Sequence, residues 1–491
     1  MPGLSQDRTG PVPRPDPLGT ADWRYDRLAL TLCVVLAYWF GWGDFLIKFL
    51  PESAGLVLRF VPEALLYGLA AASLSLAAAR GDRRFPLTVP LAAFLAVSLA
   101  SLLVNQSPLL SAASDFRTYF RFAAFTYVVS KLNLGEADLR FLFRQPMIMG
   151  GIQILVGASE ILIGQPARVF FTPVTTPLAE RAATWIERPM TGIGFISGTL
   201  SNYNHFGILM VVVCSLALSL WTWRRSAVTA GMFAAALTAA VLSYSRHTLL
   251  CMLAAVLILL ILHKRRLLAA VLAIAPLAAA AIALLVVPRI SHRGGPDITP
   301  VDRLMNTLTE NSLKGDPAEN VRLFFLLELP GRFLSTAPVL GMGPGAIAPT
   351  SELRALGDRH AAGNDIMSDI PDDLLVFISD VVWLVALGTY GIAGLLAIAY
   401  VFTTIVLESI RLRKQVASPE ARLLAEVVVT WTGVLILAGF FSMEIIARDT
   451  VPVFWIFAGA VFAMRAKVSP WVGLTPVRPV PLPVSRRLAV R

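Results

Sequence analysis

Arginines and acids at the ends of apolar runs are the residues of this chain best placed to do chemistry. Arg59, Arg117, Arg121, Arg188, Arg246 and Arg448 all stand there, with Glu63, Asp115, Glu160, His247, Asp380 and Glu444. An ionisable group within a membrane span is expensive and marks a functional hypothesis. Guanidinium forks match phosphate oxygens. Several arginines at one depth would therefore make a receptor for a polyanion, such as the headgroup of a lipid-linked diphosphate. The plain alternative is a set of interfacial charges that snorkel to headgroups. Arg59 and Glu63 are spaced i,i+4 and predict a structural ion pair; Arg117 and Arg121 share one helix face by the same spacing. The middle and inner parts of the apolar runs hold almost no charge, with Glu408 and Glu426 at the cytoplasmic border. An ion-coupled transporter needs polar groups near the midplane, so this distribution argues against one. No Walker GxxxxGK, HExxH or DxD-type acidic pair is present.

The elements that must position these groups are membrane helices. Of 491 residues, 56% are hydrophobic and 15% charged, against about 25% charged in soluble domains. Hydropathy predicts an all-α polytopic transmembrane helical bundle of about 12 spans, near 28–46, 55–79, 86–105, 116–131, 145–164, 191–221, 228–243, 248–262, 267–287, 377–408, 422–443 and 450–464. The fourth is polar at its start and open to a re-entrant reading. Short basic connections alternate with the others: RGDRR (80–84), 131–144, WRR (223–225), HKRR (263–266) and RLRK (411–414). The positive-inside rule puts these, and both termini, in the cytoplasm. The organisation expected is a disordered cytoplasmic tail (1–27), helices one to nine (28–287), a long, partly helical extracytoplasmic loop (288–376), helices ten to twelve (377–464) and a cytoplasmic tail (465–491). The net charge of +10 is spread over these connections and does not point to nucleic acid. Cys33, Cys214 and Cys251 fall in apolar runs, so neither a disulfide nor a metal cluster is expected.

Three stretches carry a family resemblance. They are RPMTGIGFISGTLSNYNHFG (188–207), SYSRHTLL (243–250), and the run from ENVRLFFLLELPGRFLSTAPVLGMGPG (319–345) to SDVVWLVALGTYGIAG (379–394). Their order and placement resemble the O-antigen ligase and O-antigen (exopolysaccharide) polymerase superfamily of bacterial membrane glycosyltransferases, over roughly residues 60–460. Ser243 to Arg246 are similar to the family's Ser-x-Ser-Arg segment. Ligases of the family carry a His eleven residues before a Gly-x-x-Gly. Here Gly391 to Gly394 supply that motif and Asp380 takes the place of the His, which points to a polymerase rather than a ligase.

The resemblance implies glycosyl transfer from an undecaprenyl-diphosphate-linked oligosaccharide to a glycan acceptor, on the periplasmic face of the bacterial inner membrane. A base must take the acceptor's proton, and fixed positive charge must stabilise the departing diphosphate. Arginines can do the latter without metal, and no cofactor is expected. Asp380 is the candidate base, with Asp372, Asp373 and His360 as rivals. Arg322, Arg246, Arg117, Arg121 and Arg188 are the candidate diphosphate contacts. Asn202, Asn204, His205 and His360 are candidates for sugar binding, although the first three read foremost as packing and hydrogen-bonding groups at the mouth of the sixth span. Gly341, Gly343 and Gly345 fit a turn better than a substrate contact. Alternatives are ligation of glycan to lipid A-core, a transporter or flippase of lipid-linked glycan, and a scaffold working with other polysaccharide export proteins.

Overall fold

The structure is a computed structural model that describes residues 17–82, 84–173, 196–200, 202–243, 245–263, 290–292, 295–298, 317–347, 378–443 and 446–468. Among them the helices are α1 (Pro17–Ile47), α2 (Glu52–Ala79), α3 (Thr88–Val104), α4 (Leu109–Phe120), α5 (Ala123–Ser130), α6 (Glu136–Leu162) and α7 (Gln165–Phe171). There follow α8 (Tyr203–Arg224), α9 (Ala227–Leu242), α10 (Arg246–His263), α11 (Pro317–Thr336), α12 (Val382–Gln415), α13 (Pro419–Ala438) and α14 (Val451–Val468). A small antiparallel hairpin, β1 (Ile290–His292) with β2 (Gly295–Ile298), is the one sheet among the described residues.

Eight of these helices are long and apolar enough to cross a membrane: α1 from Tyr25, α2 from Ser53, α6, α8, α10, α12, α13 and α14. These eight answer to eight of the roughly twelve expected spans. Helices α3 and α9 are apolar but have only 17 and 16 residues. The expected fourth span is two short helices, α4 and α5, parted at Arg121 and Phe122. The sixth starts at Tyr203, twelve residues later than expected, because Asn202 caps it there. The expected ninth span, 267–287, lies outside the described residues. Helix α1 begins at Pro17, inside the stretch expected to be a disordered tail; proline suits a first helical turn, where no N–H partner is needed. Of the long loop, the hairpin, α11 and the turn that follows it are described.

Helices α8, α13 and α14 are mostly buried, and α2 is mostly exposed. Between helices in lipid, close backbone approach and polar contacts replace the hydrophobic drive, at roughly 1 kcal/mol for each interhelical hydrogen bond. Trp431 Nε1 donates to Ser215 Oγ across α13 and α8 (2.9 Å), and Thr126 Oγ1 donates to the Trp455 carbonyl across α5 and α14 (2.8 Å). Gly459 lets the two latter helices touch: a Cβ there would come within 2.8 Å of the Thr126 carbonyl.

Helix α12 contains the main irregularity. Gly391 has φ 65° and ψ −164°, a region open to glycine alone. The turn around it is unwound and pairs, backbone to backbone, with the GMGPG segment after α11. Met342 N donates to Gly388 O (2.7 Å), Gly343 N to Thr389 O (3.1 Å), Ile392 N to Pro338 O (3.0 Å) and Ala393 N to Val339 O (3.1 Å). From α3, Ser101 Oγ donates to Leu340 O (2.7 Å) and Asn105 Nδ2 to Gly341 O (3.1 Å). Irregular backbone at membrane depth must be enclosed by protein, and this exchange satisfies its polar groups.

Candidate functional site

Charged residues from several segments meet at one end of the bundle. Glu63 on α2 is 4% exposed. Arg117 on α4 grips it in a two-pronged bond, Nε to Oε2 at 2.6 Å and Nη2 to Oε1 at 2.9 Å. Arg121 Nη1 and Arg448 Nη2 lie 3.5 and 3.6 Å from the same Oε1. Three guanidinium groups thus gather around one carboxylate. Arg121 also donates to the Ile446 carbonyl (3.1 Å) and lies over the Phe122 ring, 4.5 Å from its centroid; Arg117 lies over Phe60 at 5.5 Å. Such rings hold a guanidinium without cancelling its charge. The intrahelical Arg59–Glu63 pair is thus a correction. Glu63 faces into the bundle, while Arg59 turns to Asp44 of α1 (3.8 Å).

Asp449, next to Arg448, begins a second group. Its Oδ2 is 2.7 Å from Nδ1 of His205, and both side chains are buried. With the proton on Nδ1, Nε2 carries the lone pair that a general base needs. The first turn of α8 places this ring. Asn202 accepts from the Asn204 N–H as N-cap (2.8 Å), the usual partner for an orphan helical donor. The turn before it is pinned to α6: Ser197 N donates to Glu160 Oε2 (2.9 Å), Thr199 N to Gln153 Oε1 (3.0 Å), and Gln153 Nε2 to Thr199 Oγ1 (2.6 Å). Asn202 is therefore spent on structure, and Asn204 is buried.

The third group lies on α10 and α11. Ser245 caps α10 by accepting from Thr248 N (3.4 Å), and its Oγ is 3.0 Å from His247 Nδ1. Gly207 lets α8 press against Thr248 of α10. His205 and Arg322 both stand near enough to act electrostatically on His247. Arg322 Nη2 donates to Asp380 Oδ2 at 2.7 Å, each side chain about a quarter exposed or less (26% and 21%). The candidate base and a candidate diphosphate contact are thus partners of each other. That bond joins α11 to the 3-10 turn Ile378–Asp380 ahead of α12. Arg246 opens α10 beside His247. Arg188, His360, Asp372 and Asp373 lie outside the described residues.

Asp115 of α4 ties the glycine turn to this end of the bundle, accepting from Gly345 N (2.8 Å). Burial pushes its carboxyl up to about 7, with the Gly345 N–H pulling the other way. Gly341, Gly343 and Gly345 all have positive φ (67°, 98° and 82°), in keeping with a turn. Among the described residues no group of three or more His, Cys, Asp or Glu is placed to hold a metal ion.

Sequence reasoning passed over two residues of the site. Asp449 carried the mark used for Arg448, a charge just ahead of the last apolar run. Gln153 is an amide well inside an apolar run, a signal left unused. Compared with protein-family models and with curated proteins, the chain gives no match.

Proposed function

We propose that this protein is a membrane glycosyltransferase of the polysaccharide polymerase type. It passes an oligosaccharide from undecaprenyl diphosphate to a glycan acceptor at the outer face of a bacterial inner membrane. The observation that carries this reading is the gathering of Arg117, Arg121 and Arg448 around Glu63, chain-adjacent to the buried His205–Asp449 pair. An anion receptor beside a proton acceptor is what the chemistry requires. In the reaction the acceptor oxygen forms a bond to the anomeric carbon. The bond from that carbon to the diphosphate oxygen breaks, and its electron pair leaves with the diphosphate. The hydroxyl proton goes to a base, for which Asp380 and His205 are the candidates. Arginines supply the positive charge that the departing diphosphate needs. The proposal includes a twelve-span topology in which α3, the α4–α5 pair, α9 and residues 267–287 cross along with the eight long helices, both termini in the cytoplasm and the site facing the periplasm.

The test is polymer length on a gel, from cells producing the Asp380→Ala, His205→Ala or Arg322→Ala variant at normal level. A shortened or missing polymer is expected for Arg322→Ala and for at least one of the other two. Wild-type polymer in all three would sink the assignment.

A further inference from the structure

At the opposite end of the bundle, an apolar groove of about 940 Å³ opens between α6, α8, α9 and α13. Along α6 its wall is the stripe Ile148, Ile152 and Leu155, which are 50%, 39% and 72% exposed. Its mouth is basic, formed by Arg140, Arg144 and Arg224 with the single carboxylate Glu420. Arg140 and Arg224 both bond Glu420 Oε1, at 3.0 and 2.8 Å. Glu136, which accepts from Ser418 Oγ, lies 4.0 Å from Arg140. Arg144 stands one turn beyond Arg140 on the same face of α6, and among the described residues it meets no carboxylate at ion-pair distance. Even with both glutamates counted against the three arginines, one positive charge is left over at the mouth.

We propose that this groove binds an anionic phospholipid. The phosphate sits on the arginines at the mouth and an acyl chain lies along the isoleucine stripe. Two dimensions and the charge pattern support this. The mouth is at the C-terminus of α8 and His205 is at its N-terminus; 22 residues put roughly 30 Å between them, the thickness of a bilayer core. The groove therefore belongs to the leaflet opposite the anion cluster, and the inference does not depend on the proposed glycosyl transfer. From Arg144 to Leu155 the stripe is about 16 Å long at 1.5 Å per residue, the depth of one leaflet. The wall is apolar and the mouth is cationic, the match for a lipid with one negative phosphodiester and the pattern by which basic inter-helix pockets select anionic headgroups.

Two variants separate headgroup from chain. Arg144→Glu reverses charge at a residue with no carboxylate to abandon. Gly231→Leu fills the groove, because no atom lies within 4 Å of where its Cβ would stand, and leucine suits a helix better than glycine. The measurement is native mass spectrometry of the full chain in mild detergent, with phosphatidylglycerol and phosphatidylcholine offered at equal concentration. The wild type is expected to retain phosphatidylglycerol preferentially. Arg144→Glu should lower that retention about tenfold or more, from about 1 kcal/mol per charge near the headgroup, and Gly231→Leu should lower it as well. Equal retention of the two lipids by the wild type, or unchanged phosphatidylglycerol retention in either variant, would overturn the proposal.

Discussion

Glu63 is the residue on which the anion cluster depends. It pairs with Arg117, Arg121 and Arg448 at once, and it is buried. Removing one partner of a buried ion pair costs about 3–5 kcal/mol, because the charge left behind is uncompensated. Glu63→Gln keeps the shape and removes the charge, so the purified variant is expected to melt well below the wild type in detergent. If the arginines form an anion receptor, millimolar inorganic diphosphate should raise the variant's midpoint more than the wild type's. An equal shift in both proteins would count against the receptor. The sequence showed the cluster's members but not their pairing. An i,i+4 rule sees neighbours on one helix, and the partners of Glu63 lie on other helices, with Arg117 54 positions away. Asp380 and Arg322 were each legible as functional residues, but their mutual bond across 58 positions was not.

At the scale of elements, the glycine turn and the unwound turn of α12 form one device. A Cβ at Gly341 would stand 2.5 Å from the Thr389 carbonyl group, and one at Gly391 would overlap the Val339 carbonyl. Each residue also has positive φ, which costs other residues about 1–3 kcal/mol. Gly341→Ala and Gly391→Ala are expected to undock the segment and expose residues 340–347 to added protease, whereas Gly231→Ala, in open space, should leave cleavage unchanged. Equal cleavage in all three would contradict the docking. The sequence made a turn legible here because GMGPG is turn chemistry. It could not show that the turn pairs with α12, because backbone pairing leaves no side-chain signature. The apolar runs gave the long helices within a few residues, yet α4 and α5 read as one span. Their break at Arg121 serves the pairing with Glu63, a tertiary demand that hydropathy cannot register.

For the whole molecule, the distribution of charge implies a sidedness that labelling can check. The three native cysteines are buried and form no disulfide, so single introduced cysteines report cleanly. A membrane-impermeant maleimide added to intact cells is expected to label Glu352→Cys in the long loop and to spare Lys414→Cys at the end of α12; the reverse pattern would refute the orientation. The multi-pass character was plain from composition alone, since 15% charged residues cannot clothe a soluble chain of this size. The order in which the site is completed was not. Glu63 comes from the second helix, while Arg448 and Asp449 lie just ahead of the last. A ribosome must pass Asp449 before the anion cluster and the His205 pair can close. Until then Glu63 lacks one of its three cations and His205 lacks its carboxylate. A chain that stops short of Arg448 would enter the bilayer with neither pairing complete.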